Sequence, residues 1–470
     1  MPVTTTPSDD KALADLVAYN WTPQPAAANL IQSLLEECLR DCSFAASLAQ
    51  RMLDDTGTRL VDWLDHCGLP ANHPTVSQLT SVGYDLVDLQ GLAVWEHRAG
   101  MLPRVRVHSG TSRQLAIKVD SVVDFLVAHR LNGIEIIGPP FSSIRTARVA
   151  DENNVEVWIV ERHGSLAFDA NPHEVVPFLE LTRHWEAFRL RRRDCETDEA
   201  GFVQAGQLVD AAIVDLGKDR ASELFFAAER ESWLRCNRAG QVQKARQDAL
   251  GLGWANHDHH TYRSSRHCFS QLIAFLERLG FVCRERFYAG REAGWGAQVI
   301  EHPVTGITIF ADVDLSPEEL SHDFSHDPLP PRNELGTVGL WCALHGESFL
   351  QAGMHHLECQ FDFSATRDQL HRAGIETMPP FTDYPYLKQA FTKGEVWPVI
   401  PTRVERLRDA KLISAEQAQQ FLMHGALGSH LEILQRNDGY KGFNQAGINQ
   451  IIAATDPRRA AASAVSLTGD

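Results

Sequence analysis

The chain has 470 residues, 44% of them hydrophobic and 22% charged, without an extended low-complexity tract, which sets the expectation of a soluble globular protein of two to four domains. A formal net charge of -17 argues against the basic face that nucleic-acid phosphates require, and no stretch approaches the ~18 apolar residues of a membrane span, so neither nucleic acid nor membrane is an expected partner. Nine scattered cysteines, an odd number with no C-x-x-C pair, fit reduced thiols better than a disulfide framework, and residues 1–6 lack the start of a secretory signal; the expected location is cytoplasmic.

Residues 1–100 are expected to form a helical N-terminal region. Leu30, Leu34, Leu35, Leu39, Leu48, Met52 and Leu53 fall at helical spacing, broken near Asp54-Asp55-Thr56-Gly57, and Cys38 with Cys42 at i, i+4 suits core packing. Over 101–170 the pattern becomes a βαβββ module: residues 114–119 alternate as a strand, 120–129 read as a capped helix, and 155–161 alternate again. Residues 171–254 read as a helical insertion or connector, in which Arg189-Leu190-Arg191-Arg192-Arg193 is expected to be a solvated helix face. The strand, helix, strand pattern then recurs twice over 255–455, and 456–470 is expected to be a disordered tail. The expectation is an α+β fold of repeated βαβββ modules forming an open barrel-like sheet, with helical additions that could serve a homo-oligomer contact.

Three places in the C-terminal half carry ligand chemistry. They are a histidine in Asp258-His259-His260-Thr261-Tyr262-Arg263, a histidine in Met354-His355-His356-Leu357, and Glu432 in His430-Leu431-Glu432-Ile433-Leu434-Gln435-Arg436. Two imidazoles and one carboxylate leave about three open positions on an octahedral ion, which is a catalytic rather than a structural arrangement. Side chains alternate along a strand, so His259, Thr261 and Arg263 form one set and His260 with Tyr262 the other. The residues alone leave open which set faces the ion. The cluster Asn256-His257-Asp258 is expected to serve strand entry or to orient a ligand. The loop of residues 321–327, flanked by prolines, reads as surface.

These motifs resemble the vicinal oxygen chelate superfamily, and within it the 4-hydroxyphenylpyruvate dioxygenase family. The likeness is carried by Glu405-Arg406-Leu407-Arg408-Asp409-Ala410-Lys411-Leu412-Ile413, by Leu431-Glu432-Ile433-Leu434-Gln435-Arg436 followed by Gly442-Phe443, by Tyr384-Pro385-Tyr386-Leu387, and by Ile159-Val160-Glu161-Arg162-His163-Gly164 at the end of the first module. The Asp258 to Arg263 segment is also similar to the first metal motif of the 2-oxoadipate dioxygenase/decarboxylase (hydroxyglutarate synthase) family. The resemblance implies His259, His356 and Glu432 as ligands to Fe(II), with His260 and His355 facing away; 97 residues separate the first pair and 76 the second. It further implies oxidative decarboxylation of a 2-oxo acid by O₂, with oxidation of the same molecule. In the first module Gln114 stands where the ligand histidine would be, so no metal is expected there, and Glu161 is expected to be an ion-pair residue.

Arg263, Phe443, Gln360 and Gln420 are the expected substrate-binding residues. Ala297, Asp312 and Ala446-Gly447-Ile448 depart from the aromatic-substrate pattern; with a second carboxylate for Arg263 to pair, they point to an aliphatic or dicarboxylic 2-oxo acid. The competing expectations are a vicinal-oxygen-chelate isomerase or lyase using another divalent metal, and a noncatalytic binding or scaffold protein.

Overall fold

The N-terminal helices follow their apolar spacing. In the helix Pro25–Asp41 proline opens the first turn and Ile31, Leu34, Leu35 and Cys38 are buried along one stripe; Ser43–Arg51 continues the packing through Ala45 and Leu48. At Gly57 the chain takes φ +67°, and a Cβ there would lie 2.2 Å from Thr366 Oγ1, whose hydroxyl donates to the Gly57 carbonyl at 2.7 Å. Only glycine permits that contact, which ties the N-terminal helices to the C-terminal half. The structure, a computed structural model, describes residues 21–89, 91–444 and 456–458. The Ala446-Gly447-Ile448 departure, residues 1–6 and residues 459–470 of the tail lie outside the described residues.

Residues 1–100 are not helical throughout, which corrects the sequence expectation. Strands β1 (Leu64–Pro70), β2 (Asp85–Leu89) and β3 (Leu92–Glu96) join β4 (Arg104–His108), β5 (Arg113–Val119), β6 (Ile144–Glu152) and β7 (Val155–Arg162) in a seven-stranded sheet ordered β2-β3-β4-β1-β5-β7-β6. β1 to β4 form a module in which short 3-10 turns at Pro74–Gln78 and Thr80–Val82 replace the crossover helix. With no long amphipathic helix to read, the 2-residue period of the three short strands was the only available signal. The second module is β5, the helix Val122–Ala128 capped by Ser121, an isolated bridge at Ile137, β6 and β7.

Between the sheets lie the helices Phe178–Arg189, Asp198–Leu216, Lys218–Leu234 and Arg238–Asp248. The basic run is only partly the solvated face expected: Arg189, Leu190 and Arg192 are exposed, but Arg191 and Arg193 turn inward. Arg191 is buried, donates to Glu229 at 3.0 Å and to the Phe349 carbonyl, and Glu229 also takes hydrogen bonds from Arg193 and, at 3.1 Å, from Tyr262. A fully desolvated guanidinium needs such a partner. The run clamps the helical insertion onto the back of the second sheet.

That sheet combines β8 (His257–Arg263), β9 (Val282–Tyr288), β10 (Trp295–Glu301), β11 (Thr308–Asp314), β12 (His356–Gln360), β13 (Thr382–Tyr384), β14 (Leu387–Phe391) and β17 (His430–Arg436) in the order β13-β14-β17-β12-β8-β11-β10-β9; β15 (Val396–Trp397) and β16 (Ala426–Leu427) pair separately. β8, the helix Phe269–Arg278, β9, β10 and β11 make one βαβββ module. β12, the helix Phe363–Arg372 capped by Asp362, β13, β14 and β17 make the other, with the helices Pro401–Asp409 and Ala415–His424 inserted before its last strand. In both sheets the first strands of two modules meet antiparallel at the centre, β1 with β5 and β8 with β12. The chain is α+β, two such pairs curling into open barrel-like sheets.

Candidate metal centre

Register places the candidate ligands. Across β8, β12, β17 and β14 one rung reads His259, Glu358, Glu432, Phe391; the next, across β11, β8, β12 and β17, reads Phe310, Thr261, His356, His430; a third pairs Arg263 with Asp312. Alternation along each strand turns these side chains to one face, where His259, Thr261, Arg263, Asp312, His356, Glu358 and Glu432 line a cavity of about 80 Å³. Phe287, Trp295, Phe310, Phe381, Phe391 and Phe443 supply its apolar wall.

His259, Glu358 and Glu432 each offer a ligand atom within 4.8 Å of the others, all three buried. His356 joins them from the next rung, its Nδ1 3.5 Å from Glu358 Oε1, while His259 Nε2 lies 3.6 Å from the same oxygen. The structure therefore brings His259, His356 and Glu432 around one cavity, with Glu358 between them. Glu358 was missed by sequence reasoning, although the alternation that turns His356 inward turns residue 358 the same way.

The surroundings prepare these groups for a cation. His259 Nδ1 bonds Asp258 Oδ1 at 2.8 Å, leaving Nε2 toward the cavity, and Arg436 grips Asp258 through Nε at 2.8 Å and Nη2 at 3.0 Å. Burial alone would raise Asp258, yet the Arg436 guanidinium and His259 hold its carboxyl well below the usual range. Gln389 Nε2 donates to Glu432 Oε1 at 2.8 Å, and Thr261 Oγ1 to Glu358 Oε1 at 2.6 Å. Burial pushes Glu432 up to about 8, and burial with the neighbouring Glu432 charge drives Glu358 well above the glutamate range. Burial lowers both His259 and His356, which keeps them neutral. Two adjacent buried carboxyls that burial disfavours as anions, beside two imidazoles, are a donor set whose ionised form a divalent cation would stabilise. Glu358 Oε2 is buried with no hydrogen-bond partner beside the converging His259 and Glu432, so the residues present fit a metal.

Arg263 stands on the next rung, buried over the Trp341 ring with its centre 5.7 Å from the ring centroid, and its Nε and Nη1 have no hydrogen-bond partner. Asp312 faces it, pushed up to about 8 by burial, with Oδ1 unpartnered. Phe443 packs with its centroid 5.0 Å from His259 and 4.4 Å from Phe310. Gln360 and Gln420 do not line the cavity. Gln360 donates to Asp258 Oδ2 at 3.0 Å from the far end of β12, and Gln420 sits on the outer helix Ala415–His424, whose buried residues are Ala418 and Phe421. The amide that reaches the ligand set is Gln389, which sequence reasoning passed over. His260 points to the opposite face, against Phe226 and Arg230, as alternation requires. His355 is buried edge-on against Trp341, with its ring centroid 3.9 Å from that of His356, rather than turned toward solvent. His326 in the 321–327 loop bonds Asp323 and Glu277 and does not line the cavity.

The first sheet repeats this frame with other chemistry. Asp65 bonds His66 Nδ1 at 2.7 Å and is gripped by Arg162 at 2.6 and 2.8 Å, as Asp258 is by His259 and Arg436. Its rungs read His66, Ala116, Trp158 and Gln114, Glu156 where the second sheet has His259, Glu358, Glu432 and His356, His430. Gln114 and Trp158 both donate to Glu156 Oε2, at 2.9 and 2.8 Å. Glu161 pairs with Arg145 at 3.1 Å, a structural ion pair.

Paired βαβββ modules joined antiparallel through their first strands, with ligand-type side chains on the inner face, decide the fold. The architecture is a vicinal oxygen chelate fold. No family model and no curated protein matches the chain. Among solved structures it is similar to a protein described as a hydrolase from Shewanella frigidimarina (16% identity, 47% of this chain, 96% of that one, TM-score 0.32). It is also similar to a glyoxalase superfamily protein from Ralstonia eutropha (13% identity, 56% and 97%, TM-score 0.32) and to a 4-hydroxymandelate synthase variant from Streptomyces coelicolor (13% identity, 85% and 99%, TM-score 0.29).

Proposed function

We propose that this vicinal oxygen chelate protein is an Fe(II)-dependent dioxygenase that oxidatively decarboxylates a small 2-oxo acid and oxidises the same molecule. The observation that carries the reading is the donor set of His259, His356 and Glu432 around a buried cavity that also receives the unpartnered guanidinium of Arg263. Through those three side chains the chain would hold iron, which supplies the oxygen chemistry when bound. Every other task falls to the protein. Asp258 fixes the His259 tautomer and Gln389 fixes the Glu432 rotamer. Glu358, whose Oε1 accepts from Thr261 at 2.6 Å, would stay outside the ligand set in this reading. Arg263 binds a substrate carboxylate, the anion its desolvation calls for. The aromatic wall excludes water, and a cavity of about 80 Å³ favours a short aliphatic, dicarboxylic 2-oxo acid over a phenolic one.

Glu358 also supports a second reading. Ionised and ligating, it would make a four-residue site suited to isomerase or lyase chemistry with another divalent metal. Anaerobic titration of the Fe(II)-loaded protein with short 2-oxo acids separates the two. The dioxygenase reading expects a visible charge-transfer band, then O₂ uptake matched by CO₂ release. Tight metal without O₂ uptake across the series contradicts it and favours the isomerase or lyase.

A further inference from the structure

Beside the candidate iron ligands lies a second cluster made of imidazoles alone. His355, His356 and His430 each bring one ring nitrogen within 4.8 Å of the others, and all three are buried. Their ring centroids stand 3.9, 5.1 and 5.8 Å apart. The tautomers of two are fixed by the backbone: His355 Nδ1 donates to the Gly428 carbonyl at 2.7 Å and His430 Nδ1 to the Thr392 carbonyl at 2.8 Å. Both rings therefore carry their lone pair on Nε2. Neither Nε2 has a hydrogen-bond partner, and His356 Nε2 has none either.

Burying three ring nitrogens together without hydrogen-bond partners, two of them lone pairs, is unfavourable and suits a cation among them. A neutral imidazole whose other nitrogen donates to a carbonyl is the state in which histidine binds metal. The scaffold also holds the cluster in place. Gly428, whose carbonyl receives both His355 and Trp341 Nε1, would drive any Cβ to within 2.0 Å of the Trp397 ring, so the strand approach that positions His355 requires glycine.

We infer that His355, His356 and His430 form a second divalent-metal site through their Nε2 atoms, separate from the site that includes His259 and Glu432. The His356 ring lies between the two, its Nδ1 3.5 Å from Glu358 Oε1; with both sites filled it would bridge them as an imidazolate, its single N–H proton released to solvent when the second metal binds. An all-nitrogen set of three favours zinc, nickel or copper(II) over calcium or magnesium. The cluster brings no carboxylate of its own, so its fourth ligand is an exogenous anion or water. This site does not depend on the proposed dioxygenase activity.

Metal-depleted full-length protein titrated with Co(II) provides the test. Two equivalents per chain are expected. His430→Gln and His355→Ala should each lower this to one and remove the intense visible absorption of a low-coordinate nitrogen site; Glu432→Ala should also lower it to one but retain that absorption. A wild type that binds a single equivalent, unchanged in His430→Gln, overturns the inference. A wild-type single equivalent that is lost in His430→Gln and kept in Glu432→Ala upholds this site and removes the iron reading instead. Imidazole ¹⁵N NMR of the unmutated protein reads the same point without any risk of misfolding. On saturation with Zn(II) the Nε2 signals of His355 and His430 should move while their Nδ1 signals remain those of protonated nitrogen, and unmoved Nε2 signals overturn the inference.

Discussion

The two sheets are built alike and differ at a handful of side chains. Each pairs its modules through central antiparallel strands, and each carries an Asp-His dipeptide on the first of those strands gripped by an arginine from the last strand of the pair, Asp65-His66 with Arg162 and Asp258-His259 with Arg436. In the first sheet the remaining positions close on themselves, because Gln114 and Trp158 both donate to Glu156. In the second, the matching positions hold His356, Glu358 and Glu432, whose charges and lone pairs are left facing a cavity. The Asp-His-Arg frame thus belongs to the fold, and ligand chemistry is added by what stands on the adjoining strands. A frame satisfied within the protein is structural; one that leaves buried donors and acceptors unmatched is built for something else.

The largest effects should fall on the second sheet alone. Glu432→Ala and His259→Ala are each expected to abolish iron retention and reduce turnover to background, whereas Trp158→Ala should leave metal content unchanged; metal analysis of the purified proteins checks both. Next come the two aspartates. Asp258→Asn strands the buried Arg436, at a cost of about 3–5 kcal/mol in unfolding free energy by denaturant titration, and Asp65→Asn costs less because Arg162 is half-buried and keeps the Ser165 and Ala167 carbonyls. Only Asp258→Asn should also weaken metal binding, by about 10- to 100-fold. Equal loss of metal from the Asp65 variant would break the comparison.

A smaller effect concerns pH. Glu432 is raised from near 4.5 to about 8 by burial, so between those values the native state holds a proton that the unfolded chain has released. Stability present at low pH should therefore fall as pH rises from about 4.5 to about 8 in metal-free protein, by up to about 1.4 kcal/mol per unit. Melting curves of metal-free and metal-loaded protein between pH 5 and 8.5 should diverge increasingly with pH, since the loaded carboxylate is already ionised. Parallel curves would mean that Glu432 is not part of the metal's ligand set. Smallest, Arg263→Met should raise KM for a dicarboxylic 2-oxo acid roughly 10- to 100-fold, the loss of one charge-assisted contact, without altering metal content.

Much of this was legible from residue order. The alternation that separates His259 from His260 holds in β8, and a helix, Phe363–Arg372, follows β12 as the recurring strand, helix, strand pattern expects. The N-terminal module was hidden because its crossover is 3-10 turns and its strands are short, so only the helices before it left a periodic trace. Glu358 was hidden by the adjacent histidines, which drew the reading of β12 to its first residue. Gln389 was hidden because its contact with Glu432 crosses two strands far apart in sequence, and no local pattern encodes that register. The buried role of Arg191 depends on Glu229, a partner 38 residues away on another helix, and a run of arginines does not announce it.

Anomalous diffraction at the iron edge from crystals grown with Fe(II) under anaerobic conditions addresses the central claim most directly. The account predicts an iron peak in the second sheet, within ligand distance of His259, His356 and Glu432, and none beside His66 in the first. No peak at that cavity in iron-replete crystals, or one in the first sheet instead, would contradict it.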